Sequence, residues 1–308
     1  MKTITLAAAL SATLTIAASE SCSFPGERSI EPSKNYITKR VNLSDIKSIK
    51  ASTSVDVVYT QSPGKAYAEI YAPDNIVPYV QVQEGGGNLR VNYNFPKGES
   101  LSVKGKYICE VRVFAPEVTH FTTSSAADIK LANGLKTDKD VTFHTSSSGD
   151  IEASDIQCGN LDMSTSSAGD ITIENLQCRS LNASTSSSGD LKIENANCCD
   201  ATVRAGSAGD CKINTLSCSG NIEAASSSSG DIHLSGSCKD ALYRASSSGN
   251  IYAKDLKAKN VKANSSSGGD IECHATGELE ATTSSGGDIR YKGNPTNITG
   301  KREGISRL

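Results

Sequence analysis

The sequence predicts an all-β chain, a parallel β-helix (β-solenoid) of about 20 residues per coil with an irregular N-terminal capping region, and three observations carry that prediction. The stretch Thr145-Ser-Ser-Ser-Gly-Asp-Ile151 recurs in close variants that end in Gly-Asp and an aliphatic residue at Asp170, Asp190, Asp231, Asp270 and Asp288. Asp210 is followed by Cys211, Asn250 replaces the aspartate once, and Asp128 heads a looser copy after Ala127. From Asp128 onward the steps are 22, 20, 20, 20, 21, 19, 20 and 18 residues, the regular period of a solenoid. Second, the apolar residues alternate with a period of two, the mark of strands with one buried face. Third, apolar columns hold from coil to coil: Ile151, Ile171 and Leu191 follow the motif aspartate, and Leu161, Leu181 and Ala201 precede the next one by nine positions.

One coil can be followed from Asp170. Ile171 and Ile173 form the first inward run, Leu176 and Cys178 the second, and Leu181, Ala183 and Thr185 the third. The inward parity breaks at Glu174-Asn175 and at Arg179-Ser180, where the chain turns a corner. Ser-Ser-Ser-Gly makes the third corner. Three short strands and three corners make one rung, and rungs stack at about 4.8 Å. A helix is excluded by the spacing and by the recurrent Ser-Ser-Ser-Gly. The motif glycine is expected at positive φ, and the aspartate is expected to accept backbone N–H groups near it, as in an Asx-turn.

Along the chain, residues 1–21 have the make-up of an export signal, with Lys2, an apolar run too short to span a bilayer, and small residues. Cys22 is a candidate for lipidation, although Ser19-Glu20-Ser21 departs from the small, Leu-led sequence that such processing prefers. Residues 22–35, with Pro25, Gly26 and Pro32, read as a linker or tether. Residues 36–120 form irregular coils and a cap that hides the open end of the solenoid. Residues 121–292 are the regular β-helix, and 293–308 close its lower end.

The 308 residues carry a net charge of −3, so a nucleic-acid footprint is not expected. Aromatic content is 5% and tryptophan is absent, which argues against an aromatic platform for sugars.

The chain resembles the head-GIN-domain family of auto-transporter adhesins, common among exported Bacteroidetes proteins. The residues that carry the resemblance are Ile46-Lys-Ser-Ile-Lys-Ala-Ser-Thr-Ser-Val-Asp56-Val57-Val58, the repeated Ser-Gly-Asp-Ile, and Gly287-Asp-Ile-Arg-Tyr-Lys-Gly-Asn-Pro295. It covers roughly 36–308 and implies a β-helical fold, export and an adhesive role, with no catalytic residues. The cysteine content is a departure from it.

The aspartate column, Asp150, Asp170, Asp190, Asp210, Asp231 and Asp270, is the foremost ligand-binding candidate. Calcium-binding β-rolls also repeat glycine and aspartate, but every nine residues. Here each coil offers one motif carboxylate, and turn capping is favoured over metal. Lyases and glycosidases on β-helices wall their acidic clefts with long loops, whereas this chain has no insertion between Asp128 and Asp288. His144, His233 and His274 fall at outward positions in separate coils, so no catalytic triad or metal cluster is indicated. Cys158, Cys178, Cys198, Cys218 and Cys238 recur at steps of 20 on the inward face. Parallel in-register side chains cannot easily take the near-90° disulfide dihedral, so these five are expected reduced and buried, with any bridge at an off-column residue such as Cys199.

The sequence therefore predicts an exported, non-enzymatic solenoid acting by surface contact, adhesin-like or as an envelope scaffold. The alternatives are a periplasmic signalling or assembly protein and, further off, a carbohydrate-active enzyme. No cofactor or metal is expected. The partner is a surface ligand, glycan or protein, with membrane attachment only through an N-terminal lipid. The place is the cell surface, outer membrane or periplasm of a Gram-negative bacterium.

Overall fold

The computed structural model describes residues 27–95, 100–300 and 303–308. Residues 1–21 and Cys22 lie outside them. Each regular coil has three inward runs. In the coil from Ile151, the buried residues are Ile151 and Ala153, then Ile156 and Cys158, then Leu161, Met163 and Thr165. Parity breaks at Ser154-Asp155 and at Gly159-Asn160. Ile151–Gln157 pairs in parallel with Ile171–Gln177, matching Ile151 to Ile171 and Ile156 to Leu176. Asn160–Thr165 pairs likewise with Ser180–Thr185, matching Leu161 to Leu181. Further along, Asp231–Ser246 and Asn250–Ser266 run as continuous strands around two corners.

The N-terminal cap switches to antiparallel pairing. Its strands are β1 (Glu27–Ile30), β2 (Tyr36–Asn42), β3 (Ser48–Ala51), β4 (Asp56–Gln61), β5 (Tyr67–Pro73), β6 (Val80–Gly85), β7 (Asn88–Tyr93), β8 (Ser100–Val103) and β9 (Glu110–Ala115). On one face β2 pairs antiparallel with β5, β5 antiparallel with β9, and β9 parallel with β4, which joins the first coil through Ile129–Leu131. On another face the β6–β7 hairpin leads into β3 and on to His120–Thr123. The free edge strand β2 carries Lys39 and Arg40, exposed charges that discourage further strand addition. The described part of 22–35 is held to this cap rather than hanging free. β1 pairs with β8, and Asn75 binds the Ser33 N–H at 2.9 Å and the Glu31 carbonyl at 2.8 Å. At the other end Asn297–Gly300 pairs with residues 278–281 and Ile305–Arg307 with residues 289–291, adding a last coil that lacks the motif.

The motif glycine is a correction to expectation. Gly149, Gly169 and Gly189 do not have positive φ; in several corners a serine takes the left-handed conformation, as do Ser147 (66°), Ser207 (56°) and Ser247 (52°), whereas the corners at Gly169 and Gly189 have no residue with positive φ. Glycine is required by stacking. A Cβ on Gly169 would lie 2.2 Å from the Gly149 carbonyl oxygen, and one on Gly189 would lie 2.3 Å from that of Gly169. Beneath the corner a buried hydroxyl column ties successive coils, with Thr123 donating to the Gly149 carbonyl at 2.9 Å and Thr145 to that of Gly169 at 3.0 Å.

Candidate functional site

The aspartate column is assembled as a chain of bonds between coils. The backbone N–H of Asp150 donates to Asp128 Oδ1 (2.9 Å), that of Asp170 to Asp150 (2.8 Å), and that of Asp190 to Asp170 (2.8 Å). The series continues through Asp210 and Asp231 to Asn250, Asp270 and Asp288. The carboxylates do accept backbone N–H groups, but from the next coil rather than from their own turn. Burial holds the carboxyls of Asp56, Asp128 and Asp170 above the ordinary range, against the lowering effect of the N–H they accept. Among the described residues no group of three or more His, Cys, Asp or Glu is placed to hold a metal ion.

The other candidates are dispersed. His144 Nδ1 meets Ser164 Oγ at 2.9 Å, and His233 stacks on Tyr252 with ring centroids 4.7 Å apart. Cys158, Cys178, Cys198 and Cys218 are buried, Cys238 is half-buried and Cys199 is exposed; all six are free thiols. Cys198 and Cys218 are matched across neighbouring coils. Burial pushes the Cys158 thiol up to about 11 and that of Cys178 to about 12.

Sequence reasoning missed an open trough of about 540 Å³ along the second face. Because Ile156, Leu176 and Ala196 turn inward, the residues on either side of each must turn outward. One wall is Asp155, Asn175 and Asn195, and the other is Gln157, Gln177 and Asn197. The first wall is tied along its length: Asn175 Nδ2 donates to Asp155 Oδ1 at 2.9 Å and Asn195 Nδ2 to Asn175 Oδ1 at 3.0 Å. Its charged lining residues are Lys136 and Asp155 alone. The signal was present in the sequence, as polar positions flanking the Ile156 column at the same 20-residue step. A second trough of about 550 Å³ runs along the third face, lined by the carboxylates of Asp200, Glu223, Asp240, Glu278 and Glu280 with Lys262 as the one base. Arg244 meets Glu223 at 2.8 Å and Lys262 meets Glu280 at 2.7 Å.

Solved structures with similar coordinates support the fold. A putative adhesin from Parabacteroides merdae is 19% identical with a TM-score of 0.58, covering 91% of this chain and 99% of its own. A putative lipid binding protein from Parabacteroides distasonis is 21% identical with a TM-score of 0.58, covering 91% and 100%. A putative adhesin from the same species is 19% identical with a TM-score of 0.57, covering 91% and 99%. At these identities the likeness speaks for the fold alone. No curated protein matches the chain. The family model described as "Putative auto-transporter adhesin, head GIN domain" matches residues 45–218 and 217–295, most of the chain. The repeated corner, the capped parallel coils and this match agree, and the chain belongs to the head GIN domain family of auto-transporter adhesins.

Proposed function

We propose that this protein is an exported, non-enzymatic solenoid that works by surface contact at the bacterial envelope, as an adhesin does. The observation that carries the reading is the second-face trough, where equivalent polar side chains repeat at every coil from Asp155 to Ser217. Rows of equivalent groups at a fixed rise suit many weak, identical contacts to one extended ligand, and such contacts multiply in effect when linked. The family's name supports the adhesive reading. So does the fate of the acidic column, whose carboxylates are engaged by backbone N–H groups rather than paired across a cleft. Residues 1–21, with Cys22 as a lipidation site, would supply export and an anchor.

The experiment is protease shaving of intact cells, followed by adherence of wild-type cells and of cells lacking the protein. Loss of the chain from shaved cells and weaker adherence of the deletion strain are expected. Protection from protease together with unchanged adherence would sink this reading in favour of a periplasmic role.

A further inference from the structure

We propose that the second-face trough binds an uncharged polysaccharide lying along the solenoid axis. This names the ligand class of the contact surface and rests on the reading above. Three features of the trough narrow the ligand chemistry.

The first is its hydrogen-bonding character. Gln157, Gln177 and Asn197 are exposed, and their side-chain amides make no hydrogen bond among the described residues. Each therefore offers two donors and an acceptor to solvent. Opposite them, the Asn175 amide spends one donor on Asp155 and one lone pair on Asn195. That fixes its orientation and leaves the remaining donor and acceptor outward. Groups that both donate and accept match hydroxyls, which do the same.

The second feature is charge. Lys136 and Asp155 are the charged lining residues, of opposite sign, and Asp155 already accepts the Asn175 amide. Neither an acidic nor a basic polymer finds a complementary field here. The third is periodicity. Two polar walls recur along the coils from Asp155 to Ser217 with a rise of about 4.8 Å, so a ligand contacting one rung meets a similar polar rung at the next. A polymer of repeated sugar rings can use every one of them.

A peptide strand is a poorer occupant. Strand addition draws on free backbone edges, and the backbone of this face is already paired to the coils above and below it. Only side chains remain to make contact. The third-face trough lacks this character, because the carboxylates of Asp200, Glu223, Asp240, Glu278 and Glu280 line it with Lys262 as the one base and give it a negative field.

The test is affinity electrophoresis of the purified chain through gels containing a β-1,4-glucan, an α-glucan, a mannan or a galactan, with polygalacturonate as the acidic comparison. Retardation by at least one uncharged polymer is expected, unchanged between low and high salt because no ion pairing is involved. Gln177→Ala with Asn197→Ala should weaken it roughly tenfold or more, since two amides that would hydrogen-bond the polymer are lost. Thr202→Ala on the third face should not. Gln177 and Asn197 are both exposed, and an unchanged melting temperature separates lost binding from lost fold. Retardation by polygalacturonate alone, or by none of the polymers, overturns the proposal. So does self-association that disappears with the Gln177 and Asn197 substitutions, which would make the trough an interface between copies. If cells carrying the double variant adhere like wild type while the deletion strain does not, the glycan site is refuted and surface contact stands.

Discussion

Asp150 Oδ1 accepts the backbone N–H of Asp170 at 2.8 Å, although the two residues are a full coil apart in the chain. The same bond links Asp270 N–H to Asn250 Oδ1 at 3.0 Å, so an amide oxygen serves in the position as well as a carboxylate does. The column is thus defined by an acceptor, with charge secondary to it. Asp170→Asn should change stability by no more than about 0.5 kcal/mol, within the usual range for a surface substitution. Asp170→Ala leaves the Asp190 N–H without its acceptor and should cost about 1–2 kcal/mol in urea unfolding. Equal damage from both substitutions would show that the charge matters.

The charge leaves a signature in pH. Burial raises the carboxyls of Asp56, Asp128 and Asp170, so the native state binds their protons more readily than the unfolded chain does. Their contribution is full below the ordinary aspartate pKa of about 3.9 and is lost as pH rises through the raised native value. Asp170→Asn removes one such group. Its advantage over wild type should therefore be larger at neutral pH than in acid, and melts across that range measure it. An advantage that grows on acidification would contradict the assignment.

The glycines separate two physical demands. Gly169→Ala drives a Cβ to 2.2 Å from a backbone oxygen of the adjacent coil, and should cost about 3 kcal/mol or more as backbone overpacking. Gly286 has φ of +79°, and nothing lies within 4 Å of where its Cβ would stand. Gly286→Ala should therefore cost only the left-handed penalty of about 1–2 kcal/mol. Similar losses at both sites, read from thermal unfolding, would mean that stacking is looser than the backbone geometry implies.

Much of this architecture was legible because a solenoid writes itself in one dimension. The corners at Glu174-Asn175 and Arg179-Ser180 follow from parity alone, and every inward column was readable. What escaped was contact between coils. The motif glycine and aspartate look like local turn devices in a single repeat, yet their partners, the Gly149 carbonyl and the Asp150 carboxylate, belong to the coil before. The trough was missed for a related reason. Gln177 and Asn197 are unremarkable polar residues until register sets them side by side.

Thiol chemistry gives a residue-by-residue check. Burial places Cys158 at about 11 and Cys178 at about 12, so almost none of either thiol is ionised near neutrality. Cys199 is exposed. Native alkylation followed by mass spectrometry should modify Cys199 first and reach Cys158, Cys178 and Cys198 only after unfolding. Few free thiols after unfolding without reductant would show instead that the column is oxidised.

The last prediction concerns a single coil in which two core columns depart from their usual size. Gly236 occupies the second-face position held by Leu216 before it and Leu256 after it. The same coil carries Tyr243 on the third face, between Ala224 and Ala263. A large side chain across from a missing one keeps the core volume close to constant, which is what dense packing demands. Gly236 cannot be refilled directly, since a Cβ there would meet the Leu216 carbonyl oxygen at 2.0 Å. The compensation has a cost at its tip. The Tyr243 hydroxyl is fully buried and no protein donor or acceptor among the described residues reaches it. Tyr243→Phe keeps the ring and removes the orphaned polar group, and should leave stability unchanged or raise it by about 1–2 kcal/mol. Tyr243→Ala should cost about 3–5 kcal/mol by opening a cavity opposite Gly236. Urea unfolding of the two variants decides the matter, and a destabilising Tyr243→Phe would mean that the hydroxyl is bonded in the folded protein.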